Sequence, residues 1–549
     1  GRKTLAQRAK SGDLEVKRRA TWGMSDRNKQ NYFAAPEEGI LSNNDHNKLN
    51  LGDQMATVNP PLEPISQSPI PTPPLPWHTR VFYGMGAMAF GIKSNGFDYY
   101  LLAFYSQVVG LDPRLVGLAL FISLLFDAVS DPLVGYWSDN LRSRWGRRHP
   151  FMYGAAIPVA LCFFLVWMPP ESFSDTETFW YLLCLSVLIR TGITFFETPN
   201  IALAPELTQD YNDRSRLISY AHFFAWSGGN FMNIAMLFIV FPLFVTGSMS
   251  EAVSSRAPYT AYGVIASVLI FISIMVSSAG THSRIPTLYS PPQQRKLTVP
   301  KIFKEIFETL ANRSFVSIFA ASMLGAMGLG LKASLHLYFV SYFWEFTPAE
   351  TGYLSIGIFL SAFIGFKIAP FVSERMGKKN GAIIVGLVAF VAAPIPICMR
   401  LFDMLPANGD PIIFWFNLIF GIVDLGLIIC FNILVASMFA DLAEQSELET
   451  GRRSEGILAA AITFAKKSVQ GLGVLMASFV LTLAQFPKGV SVDDVSDQAI
   501  WDLGAYFVPI VTAIYLVMIG ALTSYKLSKE DFEENLRRLQ DRTITEHRQ

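Results

Sequence analysis

The sequence is poor in charged residues and in cysteine. Only 16% of its 549 residues are charged, whereas soluble domains usually contain about 25%. The net charge is zero, so no overall field attracts nucleic acid. The four cysteines, all within apolar stretches, are Cys162, Cys184, Cys398 and Cys430. We predict that they pack as small core residues, which excludes a disulfide-stabilised secreted fold.

Motifs of catalysis are also absent from the sequence. It contains no Walker sequence for holding the phosphates of ATP, and no CxxC or HExxH spacing for a catalytic metal. We therefore predict a protein that is not an enzyme and that needs no cofactor apart from a coupling cation.

What the chain has instead is a series of long apolar stretches. Twelve of them recur between residues 78 and 525, and a helix needs about 20 such residues to cross a bilayer. We predict an all-α polytopic membrane protein with about twelve transmembrane helices. The predicted spans are 78–108, 112–138, 150–170, 178–206, 215–245, 258–280, 313–344, 349–373, 381–402, 411–441, 455–486 and 499–525.

The loops between these spans alternate in charge. One set is rich in arginine and lysine, and the other is poor in basic residues and includes "ESFSDTE" and "SVDDVSD". Because basic loops tend to stay on the cytoplasmic side, we predict that both termini are cytoplasmic, in a protein of the inner or plasma membrane.

A short motif recurs after the second span and after the eighth. "SDNLRSRWGRRHP" and "SERMGKKNG" each place an acidic residue ahead of a glycine that two basic residues follow. Paired halves of this kind are typical of major facilitator proteins, so we predict two pseudo-symmetric six-helix halves in a monomer. The predicted divisions are a disordered, proline-rich cytoplasmic leader (1–76), the first half (77–280), a central cytoplasmic loop (281–312) with an amphipathic helix at 301–311, the second half (313–525) and a cytoplasmic tail (526–549).

Two acidic residues interrupt the apolar second span. Asp127 and Asp131 are four residues apart in "FDAVSDPLVGYWSDN", so both side chains lie on one helical face. A carboxylate at the bilayer centre costs about 2.5–3.5 kcal/mol on insertion scales, and Pro132 frees a backbone carbonyl from its helical donor. These oxygens suit a small hard cation such as Na⁺, although either acid could instead hold a proton. The alternative is a structural pair that an arginine or lysine of another helix neutralises.

Several motifs together resemble one transporter family. Besides the D-x-x-x-D-P run and "SRWGRRHPF", the chain carries "YGMGAMAFG" and "FYSQVVGL" in the first span and "ELETGRRSEGILAAAITFAKK" at the eleventh. Over about residues 78–525 the chain resembles the glycoside–pentoside–hexuronide:cation symporters, the family of melibiose permease. The animal sodium-dependent lysolipid symporters are more distant relatives.

The resemblance implies roles for residues in three of the spans. In that family the two acids of the second helix bind the coupling cation, which implies this role for Asp127 and Asp131. A fourth-helix acid that contacts the sugar corresponds to Glu197 in "FFETPN". A lysine between the sugar and cation sites corresponds to Lys467 in "TFAKK", or failing that to Lys466.

Two positions depart from the family's pattern. The first-helix Asp that binds galactoside aligns with Gly91, and the fifth-helix Arg aligns with His222 in "HFFAW". We predict that His222 contacts the substrate, and that Asn95 and Asp98 replace the missing acid from one face of the first span. Trp226 is a candidate for stacking on a sugar ring. The alternative for these side chains is packing or pairing with neighbouring helices.

The loop after the second span has a predicted conformational role. Gly135, Asp139, Arg147 and Arg148 resemble the facilitator-superfamily motif at this point. Ion pairs formed there are expected to lock the cytoplasmic side during alternating access.

Three polar residues stand in the apolar spans of the second half. Lys332 and His336 are i, i+4 neighbours in the seventh span, and Asp424 lies deep in the tenth. We predict that Asp424 pairs with a lysine of another helix, and that His336 is a hydrogen-bonded core residue.

Together these features predict a cation-coupled symporter. Na⁺ or H⁺ would bind at Asp127 and Asp131 and complete the site for a sugar, a glycoside or a related polar solute. Two other functions remain open: symport of a lysolipid or another amphiphile, and a non-transporting sensor or scaffold that docks through the PxxP run of the leader. The predicted partners are a small-molecule substrate, the coupling cation and the bilayer, and not nucleic acid.

Overall fold

Twelve long helices are found within the described part of the chain, one for each predicted span. The all-α prediction is therefore confirmed. The helices are α1 (Trp77–Asn95, continued by Gly96–Tyr100, Leu101–Ala103 and Phe104–Val108), α2 (Pro113–Asn140), α3 (His149–Val166), α4 (Asp175–Leu207), α5 (Tyr211–Ala235, continued by Met236–Val240 and Phe241–Phe244), α6 (Arg256–His282), α7 (Arg313–Tyr338, continued by Phe339–Phe343), α8 (Pro348–Met376), α9 (Lys378–Ala392, followed by Ile395–Leu401), α10 (Pro411–Thr450), α11 (Glu455–Leu483) and α12 (Asp497–Thr523).

The computed structural model describes residues 75–208, 210–246, 248–288, 313–450, 455–488 and 495–525. The predicted amphipathic helix at 301–311, the tail and nearly all of the leader lie outside these residues. Ten of the described helices are long and apolar enough to cross a membrane. The other two, α1 and α11, are the helices that carry Lys93, Asp98 and Lys467.

Corresponding helices of the two halves begin in the same way. Asp112 caps α2 by accepting a hydrogen bond from a backbone N–H of its first turn, and Pro113 takes the first helical position. Thr347 caps α8 in a reciprocal capping box with Glu350, and Pro348 again follows directly. Both patterns satisfy the free N–H groups at a helix start.

The recurring glycine motif adopts the same backbone conformation in both halves. Gly146 has a φ of +74° and Gly377 a φ of +73°. Residues other than glycine rarely adopt this backbone conformation. Each glycine turns the chain sharply between two helices, from α2 to α3 and from α8 to α9. The repeat read from the sequence is therefore a repeat in structure.

Helix packing brings particular polar residues together. In the first half α1 packs against α5 and α6, and in the second half α7 packs against α11 and α12. The most extensive contact between the halves joins α2 to α11. This contact sets the acids of α2 against the lysines of α11.

Candidate transport site

The two acids of α2 meet a lysine of α11. Lys467 Nζ lies 2.7 Å from Asp131 Oδ2 and 3.2 Å from Asp127 Oδ2. Asp127 is only 3% exposed, and a buried charge of this kind requires a partner. Of the two lysines that the sequence offered, Lys467 is therefore the one at the acids, whereas Lys466 lines a separate cavity.

The second oxygen of each acid faces Thr194 of α4. Thr194 Oγ1 lies 3.1 Å from Asp127 Oδ1 and 3.0 Å from Asp131 Oδ1, and 3.2 Å from the Arg190 carbonyl oxygen. A hydroxyl has a single hydrogen, so it can donate to only one of these oxygens at a time. Three oxygens thus lie around the Thr194 hydroxyl oxygen, and hard cations prefer oxygen ligands.

Sequence reasoning missed Thr194. The signal available was its spacing on α4, four residues after Arg190 and three before Glu197, which sets all three on one face. A threonine in an apolar helix gives no warning by itself, because its hydroxyl can bond to the backbone of its own helix.

Further charged side chains surround the acid pair. Arg190 Nη1 lies 3.8 Å from Asp127 Oδ2, and its Nε donates to Ser123 at 3.0 Å. Lys93 of α1 is buried and packs over the Phe90 ring. The charged residues that interact electrostatically here are the acids Asp98, Asp127, Asp131 and Glu197 and the bases Lys93, Arg190 and Lys467. We call these seven residues the charge cluster.

The charge cluster is unbalanced by one charge. It contains four carboxylates and three cationic groups, so its formal charge is −1 when every group is ionised. An uncompensated charge away from water is costly. One monovalent cation or one proton would bring the cluster to neutrality.

Among the described residues, the Glu197 carboxylate has no hydrogen-bond or ion-pair partner. It is half-buried, and Lys467 and Lys93 act on it electrostatically. Its oxygens remain available to another group.

Asn95 and Asp98 of α1 have different surroundings. Both oxygens of Asp98 accept from Gln470 Nε2 of α11 at 3.3 Å. Asn95 packs where α1 crosses α5, close to Gly229. Asp98 therefore joins the charge cluster to α11, while Asn95 lies at a helix crossing.

Gly91 explains why the first-helix acid of the family is missing. A Cβ added at Gly91 would lie 1.8 Å from the carbonyl oxygen of Ala225 in α5, far inside a van der Waals contact. The two backbones approach too closely for any side chain at this point. An acid at this position is therefore excluded by packing.

His222 and Trp226 lie on α5. His222 is exposed and forms no hydrogen bond or ion pair with a described residue. Trp226 is 39% exposed and makes an edge-to-face contact with Phe359 of α8, with ring centroids 4.7 Å apart. No contact joins either residue to the acid pair within the described residues, and their roles stay predictions.

The arginines after Gly146 form ion pairs at the end of α2 and α4. Arg148 lies 2.5 Å from Asp139 and 3.1 Å from Glu206, and Arg147 lies 2.9 Å from the same Glu206 oxygen. Glu206 is 4% exposed and was not recognised from the sequence. At Gly135 an added Cβ would make only an ordinary contact.

The second half contains an equivalent pair. Lys378 directly follows Gly377, and its Nζ lies 2.6 Å and 2.8 Å from the two oxygens of Asp441 in α10. The partner helices α4 and α10 occupy the same place in the order of their halves. We call these two sets of ion pairs the basic-loop clamps.

A cavity of about 940 Å³ lies mainly among α7, α8, α10 and α12. Most of its lining is apolar, and Tyr99, Asn230 and Asn233 are the contributions of the first half. In its wall Lys332 Nζ lies 3.4 Å from Asp424 Oδ2, so the prediction that Asp424 pairs with a lysine is confirmed. His336, also in the wall, contacts the Tyr99 ring and has no described hydrogen bond.

Known proteins resemble this chain over most of its length. Residues 82–529 match the family model for MFS/sugar transport proteins. An uncharacterized symporter of Synechocystis sp. is 22% identical, over 85% of this chain and 97% of that protein. The isoprimeverose transporter of Lactiplantibacillus pentosus is 25% identical, over 83% and 90%.

Solved structures agree on the fold. The nucleoside transporter NupG has a TM-score of 0.52 and 15% identity, with 82% of this chain and 99% of that chain covered. The fold predicted from the sequence is therefore confirmed. The chain belongs to the MFS/sugar transport protein family, as a multi-pass secondary transporter related to the glycoside–pentoside–hexuronide:cation symporters and not as an enzyme.

Proposed function

We propose that this transporter is a symporter that couples the entry of one monovalent cation to the entry of a sugar or glycoside. The observation that carries the proposal is the charge cluster, whose formal charge is −1 when every group is ionised, together with the carboxylate oxygens of Asp127 and Asp131 that meet at the Thr194 hydroxyl. Na⁺ suits these oxygen ligands, and a proton on Asp127 or Asp131 would supply the same charge.

Competition between the cation and Lys467 would provide the coupling. Asp127 and Asp131 belong to the first half, while Lys467 belongs to the second. A cation that takes over the two carboxylates weakens the hold of α2 on α11 and frees an ammonium group for the substrate. Each ligand then favours the state that the other one binds, as symport requires.

Glu197 is our candidate for the sugar contact. Its carboxylate has no described partner and lies within the field of Lys467. Sugar hydroxyls donate readily to a carboxylate, and such charge-assisted bonds are strong. Because Gly91 leaves no room for a first-helix acid, we expect sugar selectivity to differ from that of melibiose permease.

Contacts between the halves also support alternating access. At the end of α1 away from the basic-loop clamps, Gln107 donates to the Pro487 carbonyl at 3.2 Å, and Lys488 lies 3.5 Å from Asp175. These contacts hold the halves together on that side and must break for it to open. We assign the clamps to the cytoplasmic face and the protein to the inner or plasma membrane, as a monomer with cytoplasmic termini.

Uptake into proteoliposomes tests the proposal. Isoprimeverose, melibiose and D-xylose are offered with and without an inward sodium gradient, and with a proton gradient. Asp127→Asn and Asp131→Asn should each reduce gradient-driven uptake at least about tenfold, because each removes a cation ligand. Asp112→Asn is the control on the same helix, since asparagine caps a helix as well as aspartate does. Gradient-dependent uptake that survives in both variants would refute the coupling.

A second candidate function is symport of an amphiphile. The largely apolar wall of the cavity in the second half favours it, because an alkyl chain gains free energy on leaving water for such a surface. Lysophosphatidylcholine offered in the same assay separates the two functions. Gradient-driven uptake of lysophosphatidylcholine would support an amphiphile symporter, and gradient-driven uptake of a sugar would support a sugar symporter.

A further inference from the structure

The ion pair in the cavity wall is incompletely satisfied. Lys332 Nζ lies 3.4 Å from Asp424 Oδ2, close to the outer limit of a hydrogen bond. Asp424 is 8% exposed, and its Oδ1 is buried without a hydrogen-bond partner among the described residues. The Lys332 side chain is 48% exposed and has two more N–H donors. A buried acceptor without a donor costs about 1–3 kcal/mol, so the pair lacks a third participant.

The same half shows what a completed pair looks like. Lys378 and Asp441 are the same two residue types, and there the ammonium contacts both carboxylate oxygens at 2.6 Å and 2.8 Å. Lys332 and Asp424 do not close in this way. The open geometry therefore reflects the place of the pair in the wall and not the chemistry of lysine with aspartate.

Open space lies one helical turn from Asp424. Gly421 lies three residues before Asp424, and both residues line the cavity, as residues on one helical face would. A Cβ added at Gly421 would meet nothing within 4 Å. The glycine thus leaves a vacant volume in the cavity wall, one helical turn from Asp424.

The chemistry of the pair selects the ligand. Asp424 Oδ1 requires a donor and Lys332 requires an acceptor, while the pair as a whole is neutral. Two neighbouring hydroxyl groups meet both needs, because a hydroxyl donates and accepts. Because the attraction of one member of the pair for a charged group is opposed by the repulsion of the other, the pair has no net preference for an anion or a cation.

A ring surface completes the arrangement. His336 is one turn from Lys332 on α7 and makes an edge-to-face contact with Tyr99, with centroids 5.7 Å apart. Both side chains line the cavity. Aromatic rings of this kind pack against the apolar face of a sugar while their polar atoms remain available.

We propose that Lys332 and Asp424 form a second substrate anchor, which binds two neighbouring hydroxyl groups of a neutral sugar. The anchor rests on the proposed function for its substrate class. It is separate from that function in its residues, because none of Asp127, Asp131 and Glu197 lines this cavity.

Equilibrium sugar binding to the purified full-length protein in sodium tests the anchor. Isoprimeverose, melibiose and D-xylose are each titrated, and the tightest binder is used with the variants. Asp424→Asn and Lys332→Gln should each weaken binding about tenfold or more. The double variant should lose little beyond either single change, because the two residues act on the same hydroxyls.

Sodium binding distinguishes a variant that has lost the anchor from one that has lost the cation site. The rise in unfolding temperature that sodium causes in the absence of sugar should be unchanged in Asp424→Asn and Lys332→Gln, because the cation site lies elsewhere. This measurement also shows whether each variant is folded.

A steric variant supplies an independent test. Gly421→Leu should fill the vacant volume and abolish sugar binding without lowering the unfolding temperature, since leucine is the better helix former. Gly520→Leu is the matched control, because Gly520 of α12 is equally open and does not line the cavity. It should bind sugar like the wild type.

The two proposals fail in different ways. Wild-type affinity in Asp424→Asn, Lys332→Gln and Gly421→Leu would overturn the anchor and leave the symport proposal standing. If the wild type binds none of the three sugars in sodium, the proposed function fails, and the anchor fails with it.

Discussion

The two halves of this transporter are alike at their basic loops and different at their centres. At the loops, Gly146 and Gly377 share a left-handed turn, and the basic residues that follow reach an acid of α4 or of α10. At the centre, the acids of the first half form a tight charge cluster with Lys467 of the second half, whereas the second half lines most of a wide cavity with one open ion pair.

We relate this difference to two functions of a transporter, movement of the halves and binding of ligands. Alternating access moves both halves, so each half benefits from the same clamp at the same place. Binding one cation and one solute requires one site of each kind. A second copy of either site in the other half is not needed. Symmetry therefore remains at the basic loops and is lost at the centres, where we propose that the cation and the solute bind.

The largest effect should come from removing the lysine at the acid pair. Lys467→Met removes the lysine from between the buried Asp127 and the half-buried Asp131, and breaking a buried pair costs on the order of 3–5 kcal/mol. Lys332→Met should cost less, about 1–3 kcal/mol, because it leaves one buried carboxylate, that of Asp424, without its lysine and the contact that it removes is longer. Thermal unfolding of the purified proteins measures both.

Adding sodium provides a second comparison of the stability of Lys467→Met and Lys332→Met. On our proposal Na⁺ binds at the acid pair, so sodium should restore part of the lost stability in Lys467→Met, while choline should not. Equal unfolding temperatures for Lys467→Met and Lys332→Met would show that the two centres do not differ as described.

An intermediate effect is expected from the clamps. Glu206→Gln should destabilise the protein by about 2–3 kcal/mol, because Glu206 is buried and bonds to two arginines. Asp441→Asn should cost about 1–2 kcal/mol, since Asp441 holds a more exposed lysine. Denaturant unfolding compares the two, and a reversed order would contradict the burial argument.

The smallest effect should come from the loop glycines. Alanine in the left-handed region costs about 1–2 kcal/mol, so Gly146→Ala and Gly377→Ala should lower stability by similar amounts. Gly154→Ala is the matched control, because Gly154 is helical and an added Cβ meets nothing there. A loss confined to one half would mean that the two turns are not equivalent.

The sequence predicted much of this molecule and failed at identifiable points. All twelve spans, the recurring loop motif and the shared face of Asp127 and Asp131 follow from local spacing. Thr194 and Glu206 were missed because each acts on residues far away in the chain; Thr194 lies 67 positions from Asp127. The space that excludes an acid at Gly91 was also invisible, since it depends on the backbone of α5.

What the sequence alone determined is the local order: which segments are apolar enough to span a bilayer, where helices are capped, and which residues share a helical face. These follow from the bilayer thickness and the helical repeat, both of which act over a few turns. Only the tertiary structure decided which charges meet, because the packing of α2 on α11 and of α7 beside α10 brings together groups from distant segments. The closed cluster and the open pair contain the same kinds of side chain, and the distances between helices make them different.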